Sequence, residues 1–213
     1  MTDLYKVLVD GKSCHGGDMA WSLPTLNDDG SYTPGAWMRV DGDLILCDNA
    51  IHLTDRPAAW YLDGAQCWLA EARGEAVGEL TGGWESKLGV REARLIAPVA
   101  WDAVGVWTTG EHTLRKGVGR AYDSASVTAY GSASVTASGS ASVRAYGSAS
   151  VTASGSASVR AYDSASVRAY DSASVTSTPW HSASATVALT NMAAHIDRRG
   201  GKLVLRAAKG AAS

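Results

Sequence analysis

Residues 121 to 176 repeat an eight-residue pattern seven times, as AYDSASVT, AYGSASVT, ASGSASVR, AYGSASVT, ASGSASVR, AYDSASVR and AYDSASVT. Nothing else in the chain constrains its fold so strongly, because a fixed period in sequence demands a fixed period in structure. In every octad position five is Ala, position six Ser and position seven Val, and the next octad in the array opens with Ala. Such strict alternation predicts a β-strand with Ala, Val and Ala on one face and Ser, Thr or Arg, and Tyr or Ser on the other. The Asp-Ser or Gly-Ser pair between strands carries turn chemistry, since Gly and Asp accept tight backbone angles and Ser or Asp can bond nearby backbone groups. Each octad therefore reads as one strand and one corner, with Val127, Val135, Val143, Val151, Val159, Val167 and Val175 pointing inward.

The segment AYGSASVTASGSASVR occurs at residues 129 to 144 and again at 145 to 160, so the apparent unit is sixteen residues and two strands. Small interior Ala and Val suit two sheets pressed close together, whereas a three-sided coil would leave its axis poorly filled. The expectation is a two-sheet β-solenoid in which Tyr130, Tyr146 and Tyr162 stack on one face and Tyr122, Ser138, Ser154 and Tyr170 on the other. On the same reading Thr136 and Thr152 lie in register with Arg168, while Thr128 and Thr176 flank Arg144 and Arg160. A disordered Ser/Ala/Gly linker is the alternative, but a solvated linker has no need of invariant Val or of Tyr at one phase.

The octads resemble the repeats of bacterial ice-nucleation proteins, whose sixteen-residue coils combine Tyr-Gly-Ser corners, Thr-rich strands and a tyrosine ladder. The likeness covers about a quarter of the chain and implies the solenoid fold. It departs where the family carries Thr-x-Thr, replaced here by Ser-Val-Thr or Ser-Val-Arg, with Arg144, Arg160 and Arg168 at positions of a flat hydroxyl.

Composition divides the chain sharply, because seven of its eight tryptophans precede the array. Residues 1–104 read as a small α+β domain, 105–120 as a connection or irregular first coil, 121–190 as the solenoid and 191–213 as a C-terminal cap. Strands are predicted over Tyr5 to Val9, Ala36 to Val40, Asp43 to Cys47, Cys67 to Arg73 and Val90 to Val99. A short helix is predicted after Asp55-Arg56-Pro57, with Asp55 as N-cap and Gly64 just past its end. Residues 28 to 35 read as loop. SCHGG and Trp21 near the start, the segment from Cys47 to His52, the WLAEARGE strand and REARL are together similar to an uncharacterised domain of phage and prophage proteins. That resemblance implies a phage or prophage context and no activity.

Candidate chemistry is sparse. Cys14, His15, Cys47, His52 and Cys67 include zinc-ligating atom types, but their spacing matches no established ligand pattern, so no metal or cofactor is assigned. A short helix after a Cys-to-His strand also resembles ADP-ribosyltransferase-like folds, which would give His52 and Glu71 or Glu75 a nicotinamide cofactor to hold. The array offers Tyr130, Tyr146, Tyr162, Thr136, Thr152, Arg144 and Arg160 as a binding surface. Three Arg and three Asp leave it neutral, which argues against a nucleic-acid track. The opening MTDLYKVLVDGK lacks a basic start and an apolar run, and no stretch approaches the ~20 apolar residues of a membrane span. The expectation is a cytoplasmic, non-enzymatic structural or interaction module, with virion association in its reach and a homo-oligomer formed through the solenoid face. Ice binding and an enzymatic N-terminal domain are the alternatives.

Overall fold

The computed structural model describes residues 2–13, 19–81, 86–178, 186–191, 193–197 and 204–207. The chain divides into two compact units, Met1–Val104 and Gly105–Ser213.

In the first unit, strands β1 (Leu4–Val9), β2 (Lys12–Ser13), β5 (Met38–Arg39), β6 (Ile51–Leu53), β7 (Gln66–Glu79) and β8 (Lys87–Val99) form one sheet, and β3 (Thr25–Leu26) pairs with β4 (Tyr32–Thr33). The long β7–β8 hairpin is its spine, kinked by irregularities between Leu69 and Ala70 and between Arg73 and Ala76. Extra residues at such bulges sharpen the local twist, and Gly74 there takes φ +82°. β1 lines one edge of the hairpin, while β5 and β6 share the other. Thr54, just past β6, then bonds back to Tyr5 of β1 in both directions at 2.7 and 3.0 Å, so the sheet curls round and meets itself. Leu8, Leu53, Leu95, Ile51, Trp21 and Trp68 fill the enclosed core.

The expected α+β character is corrected, because among the described residues this unit contains strands and two short 3₁₀ turns but no α-helix. The segment read as a helix is one such turn, Pro57–Trp60, which leaves the helical region at Tyr61. Asp55 caps nothing; its carboxylate instead accepts a hydrogen bond from the Ser86 hydroxyl. One turn recovers little of the cost of nucleating a helix, so tertiary contacts decide its form. Asp43 to Cys47 is not a strand either: Asp48 N–H closes a turn on the Ile45 carbonyl, and Ile45 itself is exposed.

In the second unit strands alternate between two parallel sheets. One holds β10 (Glu111–Leu114), β12 (Ser126–Ala129), β14 (Ser142–Ala145), β16 (Ser158–Ala161), β18 (Ser174–Ser177) and β20 (Ala194–Asp197). The other holds β9 (Val106–Trp107), β11 (Val118–Ala121), β13 (Ser134–Ala137), β15 (Ser150–Ala153), β17 (Ser166–Ala169) and β19 (Thr186–Leu189). Val127 sits beside Val143 and Val135 beside Val151, so each coil advances sixteen residues and has two sides. Every Val and Ala of the inner face is at most 1% exposed through the array. That is a dry core built from the smallest branched and unbranched aliphatics.

Corners follow from the residue at octad position three. Asp123, Gly131, Gly139, Gly147, Gly155, Asp163 and Asp171 all take positive φ, between 48° and 66°. Only Gly enters that region freely, and Asp enters it more readily than most residues. Coils also meet tightly here, since a Cβ on Gly139 would lie 2.9 Å from the backbone N of Asp123. Where Asp follows Gly in a column it adds a bond of its own: Asp163 accepts from Gly147 N–H at 3.0 Å and Asp171 from Gly155 N–H at 3.3 Å.

The ends break the pattern in identifiable ways. The segment read as a connection or irregular first coil stacks on the array with shorter steps, Glu111 of β10 pairing with Ser126 of β12 and Val106 of β9 with Arg120 of β11. Gly119 stands in the Val column, where a Cβ would lie 2.7 Å from the Trp107 ring, so one large indole replaces a rung of small side chains. At the far end Ser166 pairs with Thr186, a step of twenty residues that places extra chain after β18. Ser177 and His195 then enter the core as a buried pair, Oγ to Nε2 at 2.7 Å. β21 (Val204–Ala207) runs antiparallel to β20 and ends the parallel stacking. Pro179 and Trp180, read as the start of the cap, lie outside the described residues.

Candidate functional site

Outward residues of the array form columns two residues apart along each strand. On the face carrying β12, β14 and β16, the outer columns are Ser126, Ser142 and Ser158, then Thr128, Arg144, Arg160 and Thr176, then the tyrosines that follow each strand. The rings of Tyr130 and Tyr146 stack with centroids 5.1 Å apart and those of Tyr146 and Tyr162 at 4.4 Å, nearly parallel. Arg115 extends the stack, its guanidinium 5.2 Å from the Tyr130 ring. Burial between its neighbours, and then the Tyr162 hydroxyl, push the Tyr146 phenol above its ordinary value. Arg144 and Arg160 are direct register partners, and among the described residues neither has a carboxylate within salt-bridge range. This face joins a flat aromatic strip to a short cationic one.

Its opposite differs. Thr136 and Thr152 are register partners with Arg168 following Thr152, flanked by Ser134 and Ser150. Only Thr136 and Thr152 of the site residues lie here; Tyr130, Tyr146, Tyr162, Arg144 and Arg160 share the first face.

A second candidate lies inside the first unit, where a cavity of about 420 Å³ is lined by Lys6, Trp21, Cys47, His52, Trp60 and Lys87 among others. Strands β1, β6 and β8 supply Lys6, His52 and Lys87, the turn closed by Ile45 and Asp48 supplies Cys47, and the 3₁₀ turn supplies Trp60. Lys6 on β1 is 93% withdrawn from solvent, given its 7% exposure, and donates to the His52 carbonyl at 3.1 Å. Cys47 adopts φ +71°, uncommon for a residue with a side chain. This turns its N–H onto His52 Nε2 at 2.9 Å, while Lys87 Nζ reaches its Sγ at 2.9 Å. Because Nε2 accepts, the His52 proton resides on Nδ1 and the ring is neutral. Burial first, then Lys6 and Lys87, hold its pKa below the ordinary imidazole value. Each lysine also lies over an indole, Lys6 at 5.3 Å from Trp21 and Lys87 at 5.7 Å from Trp60.

The structure thus brings Cys47 and His52 together but leaves Cys67 apart, buried in β7 with its thiol pushed up to about 12 by burial. Cys14 and His15 lie outside the described residues. Among those described, no three His, Cys, Asp or Glu side chains group closely enough to hold a metal ion. Glu71 and Glu75 pair with Arg94 and Arg91 on the sheet surface and do not line the cavity with His52. Lys6 and Lys87 were missed by sequence reading. A lysine in a strand ordinarily signals a solvated face, and only the closure at Thr54 turns Lys6 inward. Ser177, His195 and Asp197 superficially suggest a nucleophile with its base, but Ser177 is 0% exposed and no substrate can reach it.

Comparison with protein-family models, with curated proteins and with solved structures finds no match to this chain. No described helix is long and apolar enough to cross a membrane.

Proposed function

We propose that this chain acts by binding rather than catalysis, as a structural or interaction module whose solenoid presents the Tyr130, Tyr146 and Tyr162 face for self-association or for a partner. The observation that carries the reading is the stack itself. Three rings held 5.1 and 4.4 Å apart on strands already paired by backbone bonds are pre-ordered, so contact loses little side-chain entropy, and tyrosine brings large area with a polar tip. Arg144 and Arg160 beside them favour a surface bearing carboxylates or phosphates. A phage or prophage setting, suggested by the N-terminal resemblance, suits such a repetitive module.

Converting Tyr130, Tyr146 and Tyr162 together to Ser should shrink the assembly seen by light scattering while leaving the far-UV circular dichroism intact. An unchanged mass would remove self-association. Ice binding has weaker support, because uninterrupted threonine extends over only Thr136 and Thr152 before Arg168 intrudes.

A further inference from the structure

The cavity of the first unit is built for something the solenoid reading does not use. Its volume of about 420 Å³ lies within the roughly 300–1,000 Å³ that holds small organic molecules. Its charge is lopsided, with the ammonium groups of Lys6 and Lys87 facing one carboxylate among the described lining residues, the exposed Asp48. Burying a cation such as Lys6 is costly unless acceptors are close, and the His52 carbonyl at 3.1 Å is one of them. Trp21 adds an independent sign: it is 7% exposed, lines the cavity, and among the described residues its indole N–H has no hydrogen-bond acceptor. An orphaned buried donor is destabilising and calls for an acceptor. Two indoles, Trp21 and Trp60, supply flat apolar walls against which a ring can lie.

We propose that this cavity binds a small aromatic carboxylate, with its anionic end received by Lys87 and the Trp21 indole N–H and its ring held against the indole faces of Trp21 and Trp60. Lys87 stands at the rim with Cys47, so a bound carboxylate also covers the thiol. A ligand of two fused rings fits within the cavity volume.

The test uses the full chain and the probes 2-naphthoate, its neutral amide 2-naphthamide, and inorganic phosphate. Binding is read from the indole N–H resonance of Trp21 and from the rate at which iodoacetamide alkylates Cys47, followed by peptide mass with buried Cys67 as the internal control. Naphthoate should shift the Trp21 resonance and protect Cys47, with the amide roughly tenfold or more weaker, as expected for loss of a charge-assisted hydrogen bond. Equal binding of acid and amide, tighter binding of phosphate than of naphthoate, or no response to naphthoate would each overturn the proposal. Lys87→Met should abolish the preference for acid over amide, and Trp21→Phe, which keeps an aromatic wall but removes the indole N–H, should weaken naphthoate severalfold. Should Lys87→Met fail to fold, the Trp21→Phe comparison decides alone, and unchanged naphthoate affinity in it counts against the site.

Discussion

The two units solve the same problem, hiding apolar surface between β-strands, with opposite materials. The solenoid uses one small step repeated, with Ala and Val at every inner position and identical neighbours above and below. The first unit uses a handful of large side chains, Leu8, Leu53, Leu95, Trp21 and Trp68, with no repeated neighbour. Packing small residues between two close sheets leaves the inner Ala and Val of the array at most 1% exposed, so its chemistry is carried on the outer faces. Packing large, irregular residues inside a curled sheet leaves a cavity, and its lining includes the buried ammonium of Lys6 and the indole N–H of Trp21. Regularity gives surface function; irregularity gives pocket chemistry.

The contrast is sharpest under truncation. Leu95, 0% exposed at the centre of the first unit's core, has no equivalent to share its load, and Leu95→Ala should cost about 2–5 kcal/mol by denaturant unfolding. Hydrogen exchange should show the loss concentrated in β1, β7 and β8. Val151, 1% exposed mid-array, loses only two methyl groups in Val151→Ala, for about 2 kcal/mol. Its effect should stay within the coils of Val135 and Val167, the register partners on either side, because solenoid contacts run only to nearest neighbours. Exchange that rises uniformly along the array after Val151→Ala would break the comparison.

Corners should come next in size. Gly139 combines φ +63° with a neighbouring coil 2.9 Å from where a Cβ would stand, so Gly139→Ala should destabilise by roughly 1–2 kcal/mol, the usual cost of a left-handed residue with a side chain. Ser140→Ala, at the next and exposed position, should be neutral in the same thermal melt. Equal effects would mean that corner geometry is not what fixes octad position three.

These differences also explain what could be read from the residues alone. Alternation of Ala, Ser, Val and Thr determines strand, face and corner locally, and seven copies of it repeat the statement; the sixteen-residue register of Thr136 with Thr152 and of Arg144 with Arg160 followed from that. The first unit contains no repeated statement. Asp55-Arg56-Pro57 has the composition of a helix start, yet the fold assigns Asp55 to Ser86, far along the chain, and the helix shrinks to a turn. Apolar Asp43 to Cys47 suggests a strand, yet its role is to place Cys47 against His52 and Lys87. Pairings over such distances leave no periodic trace. Trp107 filling the space above Gly119 and the Ser177–His195 pair escaped notice for a related reason, since both occur once, where the repeat stops.

The smallest expected effect, and the one that separates the units most selectively, is acid sensitivity. His52 accepts a hydrogen bond from Cys47 N–H only while neutral, and burial with two neighbouring lysines keeps its folded pKa below the ordinary 6.5. Because the unfolded chain binds that proton more readily than the folded one, the stabilisation is complete above 6.5 and is lost as pH falls through 6.5 toward the lowered value. The His52 ring protons should therefore titrate with a midpoint below 6.5 by NMR. The first unit's unfolding midpoint should drop over that interval, while amide protection in the Val135-to-Val167 coils, whose cores hold no ionisable group, stays level. His52→Gln should flatten the acid response of the first unit. If the dependence persists in that variant, another group carries it, and the Cys47–His52 contact is not what holds this turn in place.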